Sequence, residues 1–237
     1  MGLLDFAGDV VEQIRLHYPA LLRGYSLTII LTVLSMAFAL VVGTVMALLR
    51  TSDWRPLRFV SGAYVEVFRN TPLLIQLFFW FFALPKLPSV DTHLPLLGMI
   101  DWLLSPFQAA ILGLTAYTAA YTTEALRSGL RSIDHGQTEA ARALGLTYMQ
   151  TRMYVVAPQA VRVAVPLLTS ILSALFRNSA LVTVIGVVEL LGAADRIQQQ
   201  NFQTFELFVV AGVMYLAVTL PLAWASARLE RRMAVTR

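Results

Sequence analysis

Apolar positions fall in long blocks, not in alternation. Residues 25–49 form a run of 25 without a charge, residues 102–123 a run of 22, and residues 207–227 a run of 21. A bilayer hydrocarbon core of about 30 Å is crossed by about 20 apolar helical residues, so each run predicts a membrane-spanning helix. Two more apolar stretches are interrupted: 59–84 by Glu66, Arg69 and Pro72, and 163–188 by Arg177 and Asn178. Buried helices of a soluble domain are the alternative, but the length of these stretches and their apolar neighbours favour spans. The pattern therefore predicts an all-α integral membrane chain with five transmembrane helices.

Three parts follow from the blocks. In segment 1–24, Leu3, Phe6, Val10 and Ile14 stand at helical spacing beside Asp5, Asp9 and Glu12. This predicts a short helix lying on the membrane surface. A body of five spans takes 25–228, with a long loop at 127–162, and a tail takes 229–237. The aromatic run Phe78, Phe79, Trp80, Phe81 and Phe82 fits an interfacial belt better than a gate. Gly43, Gly113 and Gly212 fit close helix packing.

Composition agrees with a membrane chain: 57% of the residues are hydrophobic and 14% charged, where soluble domains are about a quarter charged. Cysteine is absent, which excludes disulfides, thiolate metal sites and a thiol nucleophile. His17, His93 and His135 are too scattered to pair on a metal. The net charge of +4 comes from cations lying between the apolar blocks, not from a stripe that would suit nucleic acid. With five spans, Arg50, Arg55, Arg58, Arg127, Arg131, Arg142, Arg152, Arg162, Arg228, Arg231, Arg232 and Arg237 share one side. Arg15, Arg23, Lys86 and Arg196 share the other. The positive-inside asymmetry places the N-terminus outside and the C-terminus, like the 127–162 loop, in the cytoplasm.

That loop is not low-complexity. Residues 137–144 are rich in helix formers. Gly136 precedes them and Gly145 follows, where a helix end prefers glycine. Ala140, Ala141 and Ala143 leave the helix slim enough to enter a groove of another protein; a surface helix resting on lipid headgroups is the competing reading. Pro158 is expected to interrupt the stretch that returns to the membrane.

Here the residues carry a resemblance. Glu139-Ala140-Ala141, then Gly145, then Val155-Val156-Ala157-Pro158 resembles the E-A-A-x₃-G-x₉-I-x-L-P loop of ABC-importer permeases. Ala157 stands where that pattern has Leu. Ala119-Ala120-Tyr121-Thr122-Thr123-Glu124-Ala125-Leu126-Arg127-Ser128-Gly129-Leu130, Phe68-Arg69-Asn70-Thr71-Pro72-Leu73-Leu74 and Arg177-Asn178-Ser179-Ala180-Leu181 with Val184-Ile185-Gly186 resemble further segments of the polar amino-acid permeases. The likeness covers roughly 25–228. It implies a type I (MetI-like) architecture and a permease subunit of an ATP-driven polar amino-acid importer in a bacterial cytoplasmic membrane. It also implies three partners: a cytoplasmic ATP-binding subunit, a second permease, identical or homologous, and an extracytoplasmic solute-binding protein. By position, Gln137, Glu139, Ala140, Ala141, Leu144, Gly145 and Pro158 would couple to the ATPase.

No cofactor is expected on this chain. A phosphate-binding loop needs G-x-x-x-x-G-K-[ST], and the single lysine, Lys86, sits in Pro-Lys-Leu-Pro. ATP and magnesium would belong to the partner, and the chain is expected not to be an enzyme.

Within the membrane, depth ranks the polar groups. At about 1.5 Å per residue, Glu66 and Arg69 lie roughly 12 and 16 Å into their span and Arg177 roughly 21 Å along its own. A cation facing lipid at that depth costs on the order of 3 kcal/mol, so both arginines are expected to face protein or a polar cavity. Arg69 either pairs with Glu66 at i,i+3 or faces the pathway. Arg177 has no acid at i±3 or i±4 and either locks onto another helix or meets substrate, and Arg177-Asn178-Ser179 reads as a helix break of the kind that exposes backbone groups to substrate. Glu66, Arg69, Asn70, Glu124, Arg177, Asn178 and Ser179 are thus the pathway candidates. The excess of deep cation favours acidic or amide substrates such as glutamate, aspartate and glutamine. The alternative function is an oligomeric anion-selective channel lined by Arg69 and Arg177.

Overall fold

The computed structural model describes residues 3–86, 105–202 and 204–233. The order of elements is α1 (Leu3–Arg50), α2 (Arg55–Asn70), α3 (Leu73–Phe78), α4 (Pro106–Arg131), α5 (His135–Ala143), α6 (Tyr148–Gln150), α7 (Ala157–Asn178), α8 (Leu190–Asn201) and α9 (Thr204–Met233). A π-helical turn, Phe79–Ala83, extends α3; another, Thr151–Val156, joins α6 to α7; a 3₁₀ segment, Ser179–Ile185, follows α7. Among the described residues, three stretches are long and apolar enough to cross a membrane: Gly8–Arg50, Tyr148–Ile185 and Thr204–Arg231. The start of the expected 102–123 span lies outside the described residues, as do Lys86's neighbours from 87 onward and the tail from 234.

Two local expectations are corrected, and the interruption expected at Pro72 is present. The surface helix expected near the N-terminus is not a separate element. α1 is continuous for 48 residues, about 72 Å by helical rise and far more than a hydrocarbon core requires. Pro19, exposed inside it, removes one donor without ending the helix. Pro158 does not interrupt its stretch either. It stands at the second residue of α7, directly after a π-helical turn, whose wider ring gives a proline ring room at the preceding carbonyls. The 59–84 stretch is broken at Thr71-Pro72 between α2 and α3, because proline disfavours helix in the residue before it.

The chain divides into two compact units. Unit one takes residues 1–36, 71–115 and 174–220; unit two takes 37–70, 116–173 and 221–237. In unit one, Leu21 of α1, Leu190, Ala194 and Ile197 of α8, and Leu207, Val210 and Ala211 of α9 form one buried apolar cluster. Gly24 lets α1 and α8 touch: a Cβ there would stand 2.8 Å from Ala193 Cβ and 2.9 Å from the Glu189 carbonyl oxygen. In unit two, hydroxyls tie the helices together. Ser61 Oγ donates to the Met46 carbonyl at 2.7 Å, Tyr64 to the Ala116 carbonyl at 2.7 Å and Thr123 to the Gly43 carbonyl at 3.3 Å. Gly43 leaves room for Thr122, whose Cγ2 would stand 2.6 Å from an added Cβ. Back in unit one, Gly113 similarly admits Leu77 and Trp80, whereas Gly212 has open space around it among the described residues.

Candidate coupling surface and pathway residues

In unit two, the expected coupling helix is α5, and its limits are built from its own sequence. Asp134 caps the N-terminus, its carboxylate accepting from the Gly136 amide at 2.9 Å. At the other end Gly145 adopts φ +88. Its amide donates to the Arg142 carbonyl at 3.0 Å, and the Leu146 amide to the Ala141 carbonyl at 3.2 Å. This is a Schellman closure, and only glycine enters that backbone region without strain. Gln159 then holds α5 to the start of α7, its Nε2 donating to Gln137 Oε1 at 3.0 Å.

The result is a short rigid helix with one side seated and the other bare. Ala141 is buried, while Gln137, Glu139, Ala140 and Pro158 are exposed and Leu144 is 82% exposed. An open cavity of about 560 Å³ runs along it, lined by Gln137, Ala140, Ala141, Leu144 and Val155. Next along the chain, Tyr148, Met149, Met153 and Tyr154 are also exposed. These four apolar side chains extend the bare surface beyond the residues singled out by the E-A-A pattern; their signal in the sequence was a cluster of aromatic and methionine residues in an otherwise polar loop.

The pathway candidates of unit two sort into separate contacts. Glu66 does not pair with Arg69; its carboxylate accepts from Asn70 Nδ2 at 2.9 Å, one turn along the same helix. The Arg69 guanidinium instead lies over the Tyr121 ring, 5.1 Å from the centroid, and the Tyr121 hydroxyl is 3.1 Å from that of Tyr117. Glu66, Arg69 and Asn70 are all exposed. Glu124 is engaged in ion pairs: Arg127 reaches it at 2.5 Å and Arg50, from the end of α1, at 3.4 Å. A Cβ at Gly62 would stand 2.9 Å from the Arg50 guanidinium, so that glycine makes room for the pair. Glu124 lies one residue past the apolar run 102–123. Burial raises its carboxyl, but the Arg127 hydrogen bond and the charges of Arg127, Arg50 and Arg69 outweigh that and hold it below the usual carboxylate range.

In unit one, the expected break is present. α7 ends at Asn178, Ser179 opens the 3₁₀ segment, and that segment closes at Gly186 with φ +88. Arg177 is exposed, Asn178 half-buried and Ser179 buried, its hydroxyl donating to the Phe176 carbonyl at 2.8 Å.

The same unit holds a residue that sequence reasoning passed over. Glu189 is completely buried. It caps α8, accepting from the Leu191 amide at 3.1 Å and the Gly192 amide at 3.0 Å. It also accepts from Thr28 of α1 and Thr183 of the 3₁₀ segment, each at 3.1 Å, and from Tyr215 of α9 at 2.6 Å. Five donors from four elements converge on one carboxylate, which is how a buried charge is tolerated.

Comparison with known proteins matches this architecture. The family described as "Binding-protein-dependent transport system inner membrane component" matches residues 39–235. The probable glutamine ABC transporter permease protein GlnM of Bacillus subtilis is 32% identical over 217 residues, covering 92% of this chain and 94% of that protein. The arginine transport system permease protein ArtQ of the same organism is 31% identical over 230 residues, covering 97% of each. Among solved structures, the crystal structure of an amino acid ABC transporter with histidines superposes with a TM-score of 0.80 at 31% identity, covering 93% of this chain and 97% of the other.

Proposed function

We propose that this chain, which belongs to the family of inner-membrane components of binding-protein-dependent transport systems, forms the translocation pathway of a polar amino-acid importer. It is a permease subunit, and ATP hydrolysis resides in a separate chain. The observation that carries the reading is α5, held rigidly at both ends and bare along the face of Ala140 and Leu144. A helix so capped moves as a unit when a partner grips it, and passes that motion to α4 and α7 on either side of the loop.

In this reading Glu139, Ala140 and Leu144 enter a groove on a cytoplasmic ATP-binding subunit that holds ATP and magnesium. Gly145 supplies the turn, and Gln137 and Pro158 fix the root of the helix. Five spans run with the N-terminus outside and the C-terminus in the cytoplasm. A second permease, identical or homologous, completes the pathway, and an extracytoplasmic solute-binding protein delivers the substrate. Arg69, with Glu66 and Asn70 beside it, and the break at Arg177, Asn178 and Ser179 line the route. Relatives at nearly equal identity are named for glutamine and for arginine. The deep arginines favour the α-carboxylate end of any amino acid, and an acidic or amide side chain over a basic one.

The test is reconstitution. Uptake of glutamine, glutamate or aspartate is expected only when ATP, the ATPase and the binding protein are all present. Passive flux through the chain alone would overturn the reading in favour of an anion channel. Titration of the partner binding protein with glutamate, aspartate, glutamine and arginine checks the substrate class.

A further inference from the structure

We propose that a cavity between α1 and α8 is a binding site for the phosphodiester of an anionic membrane phospholipid. The cavity measures about 440 Å³, and His17, Arg23, Arg196 and Gln200 are among the residues that line it. Its floor is the tight α1–α8 crossing at Gly24 and Ala193.

The charge pattern is the first argument. The side proposed to be outer carries few cations, yet Arg23 and Arg196, from distant parts of the sequence, line one cavity there. No acidic side chain lines it, and among the described residues neither guanidinium forms an ion pair. Like charges held around one concavity repel, and an anion between them turns that repulsion into attraction. Guanidinium groups match an oxyanion in shape as well as charge, each offering paired donors.

Position selects the lipid. Arg23 stands two residues before the apolar run 25–49, and Val188, which also lines the cavity, ends the run 163–188. The cavity thus sits at the margin of the hydrocarbon layer, where lipid phosphates lie. Seven and eleven residues on from Arg23, on the same face of α1, Ile30 and Leu34 are exposed. They offer an acyl chain a track leading down from the phosphate.

The inference rests on the orientation proposed above, and the two are tested apart. The chain contains no cysteine, so Ala20→Cys at the cavity rim places a single thiol there. A membrane-impermeant maleimide is expected to label it from outside; labelling from the cytoplasmic side alone overturns the orientation and the outer-leaflet assignment. The site itself is read on the assembled transporter in nanodiscs of equimolar phosphatidylglycerol and phosphatidylcholine, with retained lipid counted by native mass spectrometry. The wild type is expected to retain phosphatidylglycerol in preference. Arg23→Gln/Arg196→Gln is expected to lose that preference by about tenfold, as two charge-assisted contacts are removed. Arg15→Gln, off the cavity, is expected to keep it. Ala20→Phe, which fills the cavity without changing charge, is expected to lose it, and decides the matter should the double variant fail to assemble. Unchanged preference in both cavity variants overturns the proposal, as does displacement of the lipid by inorganic phosphate. So does unchanged lipid retention alongside lost stimulation by the binding protein, which would assign the face to that protein.

Discussion

Glu189 and Leu144 are extremes of opposite kinds. The carboxylate, the costlier group to bury, is completely enclosed in unit one; the leucine, the cheaper, is 82% exposed in unit two. Each inversion has a reason in its surroundings. Glu189 has every acceptor position supplied by Thr28, Thr183, Tyr215 and two amides of α8. It needs nothing from outside and serves as a fastening for α1, α8 and α9. Leu144 sits on a helix whose ends are closed by Asp134 and Gly145. That rigidity keeps the leucine outward, with none of its own chain to cover it, which suits a surface completed by another protein.

The contrast breaks most sharply under charge at the exposed end. Leu144→Asp is expected to lower ATP-driven uptake by roughly thirtyfold, the cost of removing an interface anchor of about 2 kcal/mol. Thermal unfolding of the permease alone should stay within about 0.5 kcal/mol, as for exposed substitutions generally. Gly145→Asp should uncouple as well, by a different route: a side chain at φ +88 strains the backbone by about 1–2 kcal/mol and reopens the Schellman turn. Normal uptake by Leu144→Asp would end the claim that this face is gripped.

At the enclosed end, stability should carry the effect. Glu189→Ala leaves two amides and the Tyr215 hydroxyl without their acceptor, while Thr28 and Thr183 keep the Gly24 and Val187 carbonyls, and removes the cap of α8. A loss of about 3 kcal/mol is expected from the unmet donors and the missing cap together. Thermal denaturation of the detergent-solubilised protein reads it. Tyr215→Phe deletes the 2.6 Å bond, and four donors to Glu189 remain, so about 1 kcal/mol is expected. If Tyr215→Phe proved as damaging as Glu189→Ala, the picture of a shared fastening would fail.

The two ends were unequally legible in the sequence. α5 could be read because its information is local: helix formers between Gly136 and Gly145, the second a glycine that alone tolerates the terminal turn. The break at Arg177-Asn178-Ser179 could be read for the same reason, as polar residues within an apolar run. Glu189 could not. Its partners lie on α1, on the 3₁₀ segment and on α9, and no local pattern ties Thr28 or Tyr215 to it. Arg69 misled through its neighbours: Glu66 stood at a suitable spacing, but Asn70 took that carboxylate and Tyr121, far along the chain, took the guanidinium. Pro19 and Pro158 are punctuation marks in a sequence. In the fold one costs a single hydrogen bond, and the other follows a turn already widened to receive it.

Between the extremes lies Glu124, about a fifth exposed and shared by Arg50 and Arg127. It has partners, as Glu189 does, yet keeps contact with solvent, as Leu144 does. Solvent screening should therefore hold its worth low. A double-mutant cycle with Arg50→Gln and Glu124→Gln is expected to give a coupling of about 0.5–1 kcal/mol, the range of exposed pairs. The pH dependence has a definite sign. The arginines hold the folded carboxyl below its ordinary value. The pair's contribution is thus fully present above the unfolded carboxylate range and is lost as pH falls through the depressed folded value. Glu124→Gln should flatten that part of the acid-unfolding curve and lower neutral-pH stability by about 0.5–1 kcal/mol, the amount the pair contributes there. A coupling of 3 kcal/mol or more would instead place Glu124 with Glu189, as a buried fastening, and withdraw it from any contact with solvent or substrate.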